Sequence, residues 1–399
     1  MQSRLAVFNT LTQRKERFRS LREGEVSMFA CGPTVQDYMH LGHARTYVFY
    51  DVVARYLAKL GYRVRFVVNI TDIDERITDE ARRKGRDPLA LALEHSKTFI
   101  EDMAKLRVDS IWKFEPVSAH VDGMIDIVSR LIANGHAYVS GRWVYFDVST
   151  FPRFGMLSHQ RRGALSLRPL ELSLRKKNLL DFALWRPETL VEGKWDSPWG
   201  RGSPGWHIQD VAVTSALLGP QYDIHGGAYE LIYPHHEAEI AEAESLTGLR
   251  PFVGYWVHTR LVNMKGEKMS KSVGNVVNVR DALKRYSVDQ LRTFLLGVHY
   301  RRDMDLSGLD IAAERYLRMK ALAAKALGLA GRGQAEPDVD IMRRLSAAMD
   351  DDFDTPRALQ VIEAALASAA GAKGQASARA KLNAARDAAR VLGVELGIG

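Results

Sequence analysis

The N-terminal part of the chain carries a strand, a helix and a second strand in direct succession. Val26–Cys31 is a short apolar run typical of a buried strand, and the Gly-Pro-Thr triplet after it ends that run. Apolar side chains recur at three- and four-residue spacing over His40–Leu60, and Tyr62–Asn69 again favours a strand. Because parallel strands are joined by right-handed crossovers, this pattern predicts half of a doubly wound nucleotide-binding sheet, with its site at the carboxyl ends of the strands.

The rest of the chain divides by pattern into further regions. A length of 399 residues suggests two or three domains, and 46% hydrophobic residues supply a core and exclude disorder. We expect residues 1–81 to form the first half of the sheet domain and 82–200 to be an insertion, where helices give way to a hairpin and a basic tract. Residues 201–285 should resume the sheet, and 286–399 should form a helical region that is rich in alanine near its end.

Charge and cysteine content narrow the class of protein. The formal net charge of +8 permits a polyanionic partner such as nucleic acid without requiring one. Cys31 is the only cysteine, so a secreted disulfide scaffold is excluded. No apolar run approaches eighteen residues, which excludes a membrane-spanning helix. We therefore expect a cytoplasmic protein with no membrane partner.

Two short motifs far apart in the sequence make chemical sense together. His40-Leu41-Gly42-His43 stands where a loop passes into a helix, and a helix start offers free backbone N–H groups to phosphates. Lys268-Met269-Ser270-Lys271-Ser272 lies in a loop bounded by glycines, and its two lysines can neutralise charge that develops on a triphosphate. Each motif alone is equally typical of an ordinary exposed turn. Their joint presence, in this order, favours an ATP site.

This pair resembles the signature of class I aminoacyl-tRNA synthetases, and longer strings narrow the resemblance to the cysteinyl-tRNA synthetases. The strings that carry it are Cys31–Tyr38, Asn69–Asp74, Asp181–Trp185, Trp195–Gly200, Pro204–Ile208, Asp223–Gly227, Pro234–Glu237 and Asp350–Pro356. The resemblance covers residues from about 5 to 370. It implies an α/β fold: a Rossmann-like doubly wound parallel sheet with an inserted connective domain and a C-terminal helical bundle.

The resemblance also implies roles for particular residues. The residues that it implies in catalysis are His40, His43, Lys268 and Lys271. ATP, bound with Mg²⁺, would be contacted by Gly42, Gly226 and Gly227 together with His40, His43 and Lys271. Cysteine would be contacted by Thr71, Asp72 and Trp206. Trp206 can also be read as a core aromatic residue, and Thr71 and Asp72 as a polar strand end.

The family binds the substrate thiolate on zinc, and here the sequence departs from the family pattern. Cys31 matches the first ligand, and His235 and Glu239 match the third and fourth, one helical turn apart. The second ligand falls at Asp210, where the family has cysteine. Aspartate can bind zinc, so a Cys/Asp/His/Glu site is chemically possible, although it should hold the metal less firmly. The alternative is a small buried Cys31 beside an ordinary helical His–Glu pair.

The function implied is ATP-dependent activation of L-cysteine and transfer to tRNA(Cys), by a protein that we expect to be monomeric. One alternative is a ligase that delivers cysteine to an amino sugar, as in mycothiol biosynthesis, because the stretch after the lysine loop is shorter than the family usually shows. Another is an inactive paralogue that only binds tRNA. The Asp350–Pro356 string and the basic tract Arg161–Lys177 favour the tRNA enzyme, and the intact phosphate-binding motifs oppose the inactive one.

Basic residues interrupt the alanine-rich C-terminal stretch at Lys373, Arg379, Lys381, Arg386 and Arg390. Such residues usually form the solvated face of a packed bundle. The family places its bundle along the tRNA, where a basic face would contact the phosphate backbone without reading bases.

Overall fold

The computed structural model describes residues 4–160, 175–188, 195–264, 266–268 and 276–397. The strands are β1 (Ala6–Asn9), β2 (Arg14–Arg17), β3 (Glu25–Ala30), β4 (Arg63–Ile70), β5 (Lys113–Pro116), β6 (Ala137–Ser140), β7 (Trp143–Phe146), β8 (Phe182–Pro187), β9 (Gly202–Pro204), β10 (Tyr222–Ala228), β11 (Val253–Thr259), β12 (Val262–Met264), β13 (Glu267–Lys268) and β14 (Met304–Asp305). The helices are α1 (Leu41–Lys59), α2 (Glu75–Lys84), α3 (Pro88–Lys105), α4 (Val121–Ala133), α5 (Trp206–Leu217), α6 (Glu237–Thr247), α7 (Val279–Ala282), α8 (Val288–Leu296), α9 (Leu309–Ala330), α10 (Val339–Met349), α11 (Thr355–Ala370) and α12 (Gln375–Val391).

The centre of the fold is a five-stranded parallel sheet in the order β11-β10-β3-β4-β5. The predicted strand–helix–strand unit is confirmed as β3, α1 and β4, and β3 and β4 pair in parallel over six residues from Glu25 opposite Arg63 to Ala30 opposite Val68. After β3, the strands β4 and β5 are added on one side of it, and the later strands β10 and β11 are added on its other side. The carboxyl ends of β3 and β10 therefore meet at the point where strand order reverses, which is where open α/β sheets form ligand clefts.

Two apolar cores cover the two faces of this sheet. One contains α1 together with the C-terminal helices, and its buried members include Tyr47, Leu291 and Leu359. The other contains α4, α5 and α6, together with a four-stranded antiparallel sheet in the order β6-β7-β8-β9. This layering confirms the predicted α/β class with a parallel central sheet and a helical C-terminal part.

The range predicted as an insertion, 82–200, contains a strand of the main sheet as well as the separate antiparallel sheet. Strand β5 pairs in parallel with β4, from Val67 opposite Lys113 to Ile70 opposite Pro116. The pattern did not reveal this strand because it is four residues long, carries two charged residues and ends in proline. The domain boundaries themselves stay a prediction.

A buried ion pair joins the helical region to the sheet domain. The guanidinium of Arg292 on α8 lies 2.6 Å from the carboxylate of Asp51 on α1, and both side chains are fully buried. Arg292 also donates to the carbonyl oxygens of Leu106 and Leu392 at 2.8 and 3.0 Å. Because every nitrogen is directed at an oxygen, one side chain fixes the bundle against the helix that carries the histidine motif.

The alanine-rich stretch forms α11 and α12, whose buried alanines let the helices approach closely. Arg379, one of the basic residues expected on a solvated face, instead donates to the carbonyl oxygens of Ala330 and Arg332. It therefore holds the end of α9 and the linker after it. No helix within the described ranges is long and apolar enough to cross a bilayer.

We expect Tyr50→Phe to lower the free energy of unfolding by about 1–3 kcal/mol, since it leaves buried polar groups without a partner. The Gly227 N–H donates to the Tyr50 hydroxyl at 2.7 Å, and that hydroxyl donates to the Val257 carbonyl at 2.6 Å. Urea unfolding measures the loss. The matched control is Tyr62→Phe, a half-buried tyrosine that packs on Phe18. Equal losses in the two variants would contradict this role for the hydroxyl.

Candidate functional site

A cavity of about 510 Å³ opens at the carboxyl ends of β3 and β10. Its walls come from the segment after β3, the start of α1, the first residue of α5, and the segments after β10 and β11. Sequence-predicted residues on this wall are Cys31, His40, Gly42, His43 and Trp206. The position is the one that the strand order predicts for a ligand site.

The histidine motif forms the N-terminus of α1. His40 is the N-cap, and its Nδ1 accepts from the backbone N–H of His43 at 3.3 Å. The two imidazoles stack with their centroids 3.7 Å apart and their planes 18° apart. Gly42, which has no side chain, borders the cavity at this helix start, and the positive end of the helix dipole there favours a phosphate.

The segment that follows the lysine loop lies against the start of α1. Leu41 N–H donates to the Val277 carbonyl at 3.0 Å, and Val279 N–H donates to the Met39 carbonyl at 2.9 Å. Lys268 ends strand β13, but its side chain, like the whole of Lys271, lies outside the described residues. The described segment that follows the lysine motif therefore lies beside the histidine motif, and the contacts of the two lysines stay a prediction.

Four residues predicted to hold a metal lie together beneath the cavity, and their donor atoms surround one imidazole nitrogen. His235 Nε2 lies 3.4 Å from the Cys31 sulfur, 3.3 Å from an Asp210 oxygen and 3.2 Å from a Glu239 oxygen. The exposed fractions of the four side chains are 6% or less. Zinc ligands about 2.0–2.3 Å from the ion in a tetrahedron lie roughly 3.3–3.7 Å apart, and the three distances from His235 Nε2 are close to that range. Donor atoms of Asp210, His235 and Glu239 lie within 4.8 Å of one another, as do those of Cys31, His235 and His236.

The electrostatics of the cluster also fit a cation. Burial raises the pKa of the Cys31 thiol, and the charges of Asp210 and Glu239 raise it further. Burial, followed by the charges of Asp210 and Glu242, raises the pKa of Glu239 as well. Both oxygens of Glu239 and both of Glu242 are buried without a hydrogen bond. Buried carboxylates and a thiol in mutual repulsion are the donor set that a divalent cation stabilises.

Surrounding polar groups hold these donors in place. The Asn69 amide accepts from the Gly32 N–H at 2.5 Å and donates to the other Asp210 oxygen at 2.9 Å. Gly32 has to be glycine, because a Cβ there would lie 1.6 Å from the Asn69 carbonyl oxygen. His207 Nδ1 lies 2.8 Å from His235 Nδ1, which leaves Nε2 of His235 directed at the cluster.

The sequence is similar to those of known proteins over most of its length. Residues 17–315 match the family model described as tRNA synthetases class I (C) catalytic domain. A cysteine–tRNA ligase from Pyrococcus horikoshii is 44% identical over 90% of this chain and 78% of its own length. One from Thermoplasma acidophilum is 41% identical over 88% of this chain and 78% of its own.

The chain belongs to the cysteinyl-tRNA synthetase family.

The cysteine–tRNA ligase of Pyrococcus furiosus is 48% identical over 75% of this chain, and the match spans 63% of that relative's length. Solved structures with a similar fold include methionyl-tRNA synthetase of Mycobacterium tuberculosis with methionyl-adenylate, with a TM-score of 0.68 at 18% identity over 92% of this chain and 90% of that one. A leucyl-tRNA synthetase of Agrobacterium radiobacter has a TM-score of 0.68 at 11% identity over 94% of this chain and 84% of its own. These two likenesses concern the fold.

The three residues predicted to contact cysteine lie in different surroundings. Trp206 borders the cavity and stacks on His235 with the ring centroids 4.1 Å apart. Thr71 is 2% exposed, and its hydroxyl accepts from the Asn69 amide at 3.4 Å. The Asp72 carboxylate accepts from the backbone N–H of Ser118 at 3.0 Å and from its hydroxyl at 2.5 Å. Among the residues that border the cavity in the described part of the chain, Thr71 and Asp72 do not appear.

Gly226 and Gly227, predicted to contact ATP, are buried in β10 and do not border the described cavity. A Cβ on Gly226 would lie 2.4 Å from the Tyr50 ring, and one on Gly227 would lie 2.7 Å from the His236 ring. Packing of α1 and of the segment before α6 against the strand therefore explains both glycines without a nucleotide.

Arg76 and a wider histidine cluster lie at the candidate site, although the sequence analysis did not single them out. The Arg76 guanidinium lies 5.4 Å from the centre of the Trp206 ring, on the cavity wall. His225 and His236 join Glu239 in a second group of donor atoms within 4.8 Å of one another. Both histidines belong to sequence strings that resemble the family, so the sequence contained a sign of them. Such a string does not show which of its side chains point toward the site.

Proposed function

We propose that this protein activates L-cysteine with ATP to form cysteinyl-adenylate and transfers the cysteinyl group to tRNA(Cys). One observation carries the proposal: the histidine motif of a nucleotide cavity and a buried Cys/Asp/His/Glu donor cluster meet at the same strand ends. The histidine motif suits a triphosphate, and the donor cluster suits a metal ion that binds thiolates. Their juxtaposition suits a reaction between a nucleotide and cysteine.

Activation in this proposal is a displacement at the α-phosphate. The cysteine carboxylate attacks phosphorus, a P–O bond forms to the amino acid, and pyrophosphate leaves with the electrons of the bond that breaks. His40, Gly42 and His43 border the cavity, and the two imidazoles together with the positive end of the α1 dipole would stabilise the phosphate oxygens. Mg²⁺ would accompany the nucleotide, and Lys268 and Lys271 would neutralise the charge that builds on it.

Selection of cysteine would depend on the donor cluster. Serine differs from cysteine by one atom, and an apolar pocket separates such near-isosteres by only about 1–3 kcal/mol. Zinc held by Cys31, Asp210, His235 and Glu239 would supply affinity for a thiolate that shape alone does not. Trp206 covers this cluster on the cavity side through its stack on His235. It would therefore orient the amino acid between the cluster and the α1 N-terminus.

Acceptor, assembly and location complete the proposal. We propose that the protein is a monomer. We infer the cytoplasm, where a functional Cys31 thiol stays reduced.

The basic tract Arg161–Lys177, most of which lies outside the described residues, would approach the tRNA backbone. Binding should then weaken with salt, with a log–log slope of roughly −0.7 to −0.9 per neutralised phosphate.

We expect cysteine-dependent ATP–pyrophosphate exchange, followed by charging of tRNA(Cys) and no transfer to an amino sugar. The measurement pairs exchange assays, with serine as the control amino acid, with parallel acceptor assays across a salt series. Transfer to an amino sugar without charging of any tRNA would replace the proposed acceptor. Absence of exchange with an added tRNA and zinc would refute the proposal as a whole.

A further inference from the structure

A second group of donor atoms adjoins the Cys/Asp/His/Glu cluster. It consists of His225 on β10, His236 at the start of α6 and Glu239 on α6, and it shares Glu239 with the first cluster. Each residue offers one ligand atom, and these three atoms lie within 4.8 Å of one another. His225 Nδ1 is 3.5 Å from a Glu239 oxygen, and the two imidazole rings have their centroids 4.4 Å apart. All three side chains are fully buried, so the group is a compact set of donors inside the protein.

These donors lack the hydrogen bonds that buried polar groups normally form. Within the described part of the chain, Nε2 of His225, Nε2 of His236 and both oxygens of Glu239 are buried without a hydrogen-bond partner. Glu242, one helical turn after Glu239, has two buried oxygens in the same condition. A buried polar atom without a partner is unfavourable and uncommon in folded proteins. Several of them side by side therefore indicate a ligand that binds to them.

The charge of the surrounding groups shows which kind of ligand fits. The carboxylates of Asp210, Glu239 and Glu242 are at most 1% exposed, and the Cys31 thiol lies beside them. Among the ion pairs of the described residues, Asp210 and Glu239 pair with histidines and with no lysine or arginine, and Glu242 forms none. Four acidic groups carry up to four negative charges, of which one divalent ion offsets two. Because buried charge is unfavourable without a counter-charge, the group has room for a second cation.

Neighbouring side chains orient the two imidazoles. The Thr10 hydroxyl lies 2.8 Å from His258 Nδ1, and His258 Nε2 lies 2.8 Å from His236 Nδ1. This chain of contacts leaves Nε2 of His236 as the nitrogen that is available to a ligand. The His225 ring stacks on Trp256 with the centroids 4.3 Å apart. Histidines that bind metals are commonly oriented in this way, by a hydrogen bond at the second nitrogen and by packing of the ring.

We propose that His225, His236 and Glu239 bind a second divalent cation, with the Glu239 carboxylate bridging it to the ion of the first cluster. Imidazole and carboxylate donors suit ions such as Zn²⁺ and Co²⁺. The inference rests on the proposed function through the shared Glu239. Because the second site has three protein ligands and lies beside another cation, it binds its ion more weakly than the first cluster does. The second ion would offset the buried negative charge and hold Glu239 in position as a ligand of the first ion.

The test is equilibrium dialysis of zinc-loaded protein against Co²⁺, with elemental analysis of both metals. Visible absorption of the bound Co²⁺, measured on the unmodified protein, reports whether the ion has protein ligands even if a variant fails to fold. His225→Gln and His236→Gln each remove one donor of the second site and leave the four ligands of the first cluster in place. The matched control is His120→Gln, a histidine that lies 2.7 Å from Glu115 outside both donor groups. Melting temperatures verify that the variants fold.

We expect the unmodified protein to bind about one Co²⁺ per chain in addition to its zinc. His225→Gln and His236→Gln should weaken Co²⁺ binding by at least about tenfold, and His120→Gln should leave it unchanged. Bound Co²⁺ should also slow the loss of zinc to a chelator, because both ions share Glu239.

Three results would overturn the inference: no Co²⁺ bound by the unmodified protein, equal binding by the two variants and the control, or Co²⁺ that only replaces zinc. The first result would mean that water alone occupies the space between these donors. Zinc content and cysteine-dependent exchange, measured on the same unmodified protein before Co²⁺ is added, report separately whether the proposed function fails.

Discussion

Asp210→Ala is expected to release the metal and to lower cysteine-dependent pyrophosphate exchange by at least about a hundredfold. One Asp210 oxygen lies 3.3 Å from His235 Nε2, and the other accepts from Asn69, so the carboxylate is oriented toward the cluster. Its removal deletes one of the four proposed ligands and the acceptor of the Asn69 amide. Elemental analysis should fall from about one zinc per chain to almost none, and the preference for cysteine over serine should collapse with it.

The matched variant is Asp210→Cys, which restores the thiolate that the family has at this position. We expect it to hold zinc more tightly than the natural aspartate under competition with a chelator, since a thiolate is the softer ligand. Unmodified protein that contains no zinc and still selects cysteine over serine would contradict the metal hypothesis. The discrimination would then have to come from the cavity wall, where Trp206 and Arg76 lie.

Much of the central fold could be predicted from sequence because its signals are local. The strand before Cys31 is apolar, the helix after His40 has a polar cap at its start, and the next strand is again apolar. A buried parallel strand needs only such a run, flanked by residues that break it. The i, i+4 spacing of His235 and Glu239 likewise predicted two donors on one face, and in the structure His235 Nε2 lies 3.2 Å from a Glu239 oxygen.

What could not be predicted depends on contacts between distant segments. Strand β5 is defined by its pairing with β4 and carries little pattern of its own. Asn69 reaches Gly32 on one side and Asp210, 141 positions later, on the other, so only the folded chain reveals it as a support for the cluster. Gly226 resembles a nucleotide contact in sequence, yet the Tyr50 ring occupies the space beside it. The type of a residue indicates which chemistry its side chain can perform. Its neighbours in the folded protein determine whether it contacts a ligand or packs in the core.

Lys271→Ala is expected to slow adenylate formation by about a hundred- to ten-thousandfold while cysteine binding changes little. The negative charge on the α-phosphate is greatest in the transition state. A cation placed beside it therefore stabilises the transition state more than it stabilises the bound substrates. Residues 277–279, which follow the lysine loop in the sequence, are hydrogen-bonded to the start of α1. We propose that Lys271 reaches phosphates that bind at the helix start.

Single-turnover adenylate formation and pyrophosphate exchange measure the rate, and equilibrium binding of cysteine measures the ground state. The matched control is Lys284→Ala, an exposed lysine that pairs with Asp281 on the far side of the anchored segment. It removes the same charge from the chain, so it separates loss of a positioned cation from loss of net charge. If Lys271→Ala lowers the rate only as much as Lys284→Ala does, Lys271 acts through the protein's overall electrostatic potential. It is then not positioned beside the transferring phosphate. A large loss of rate with an unchanged cysteine affinity assigns its charge to the transition state.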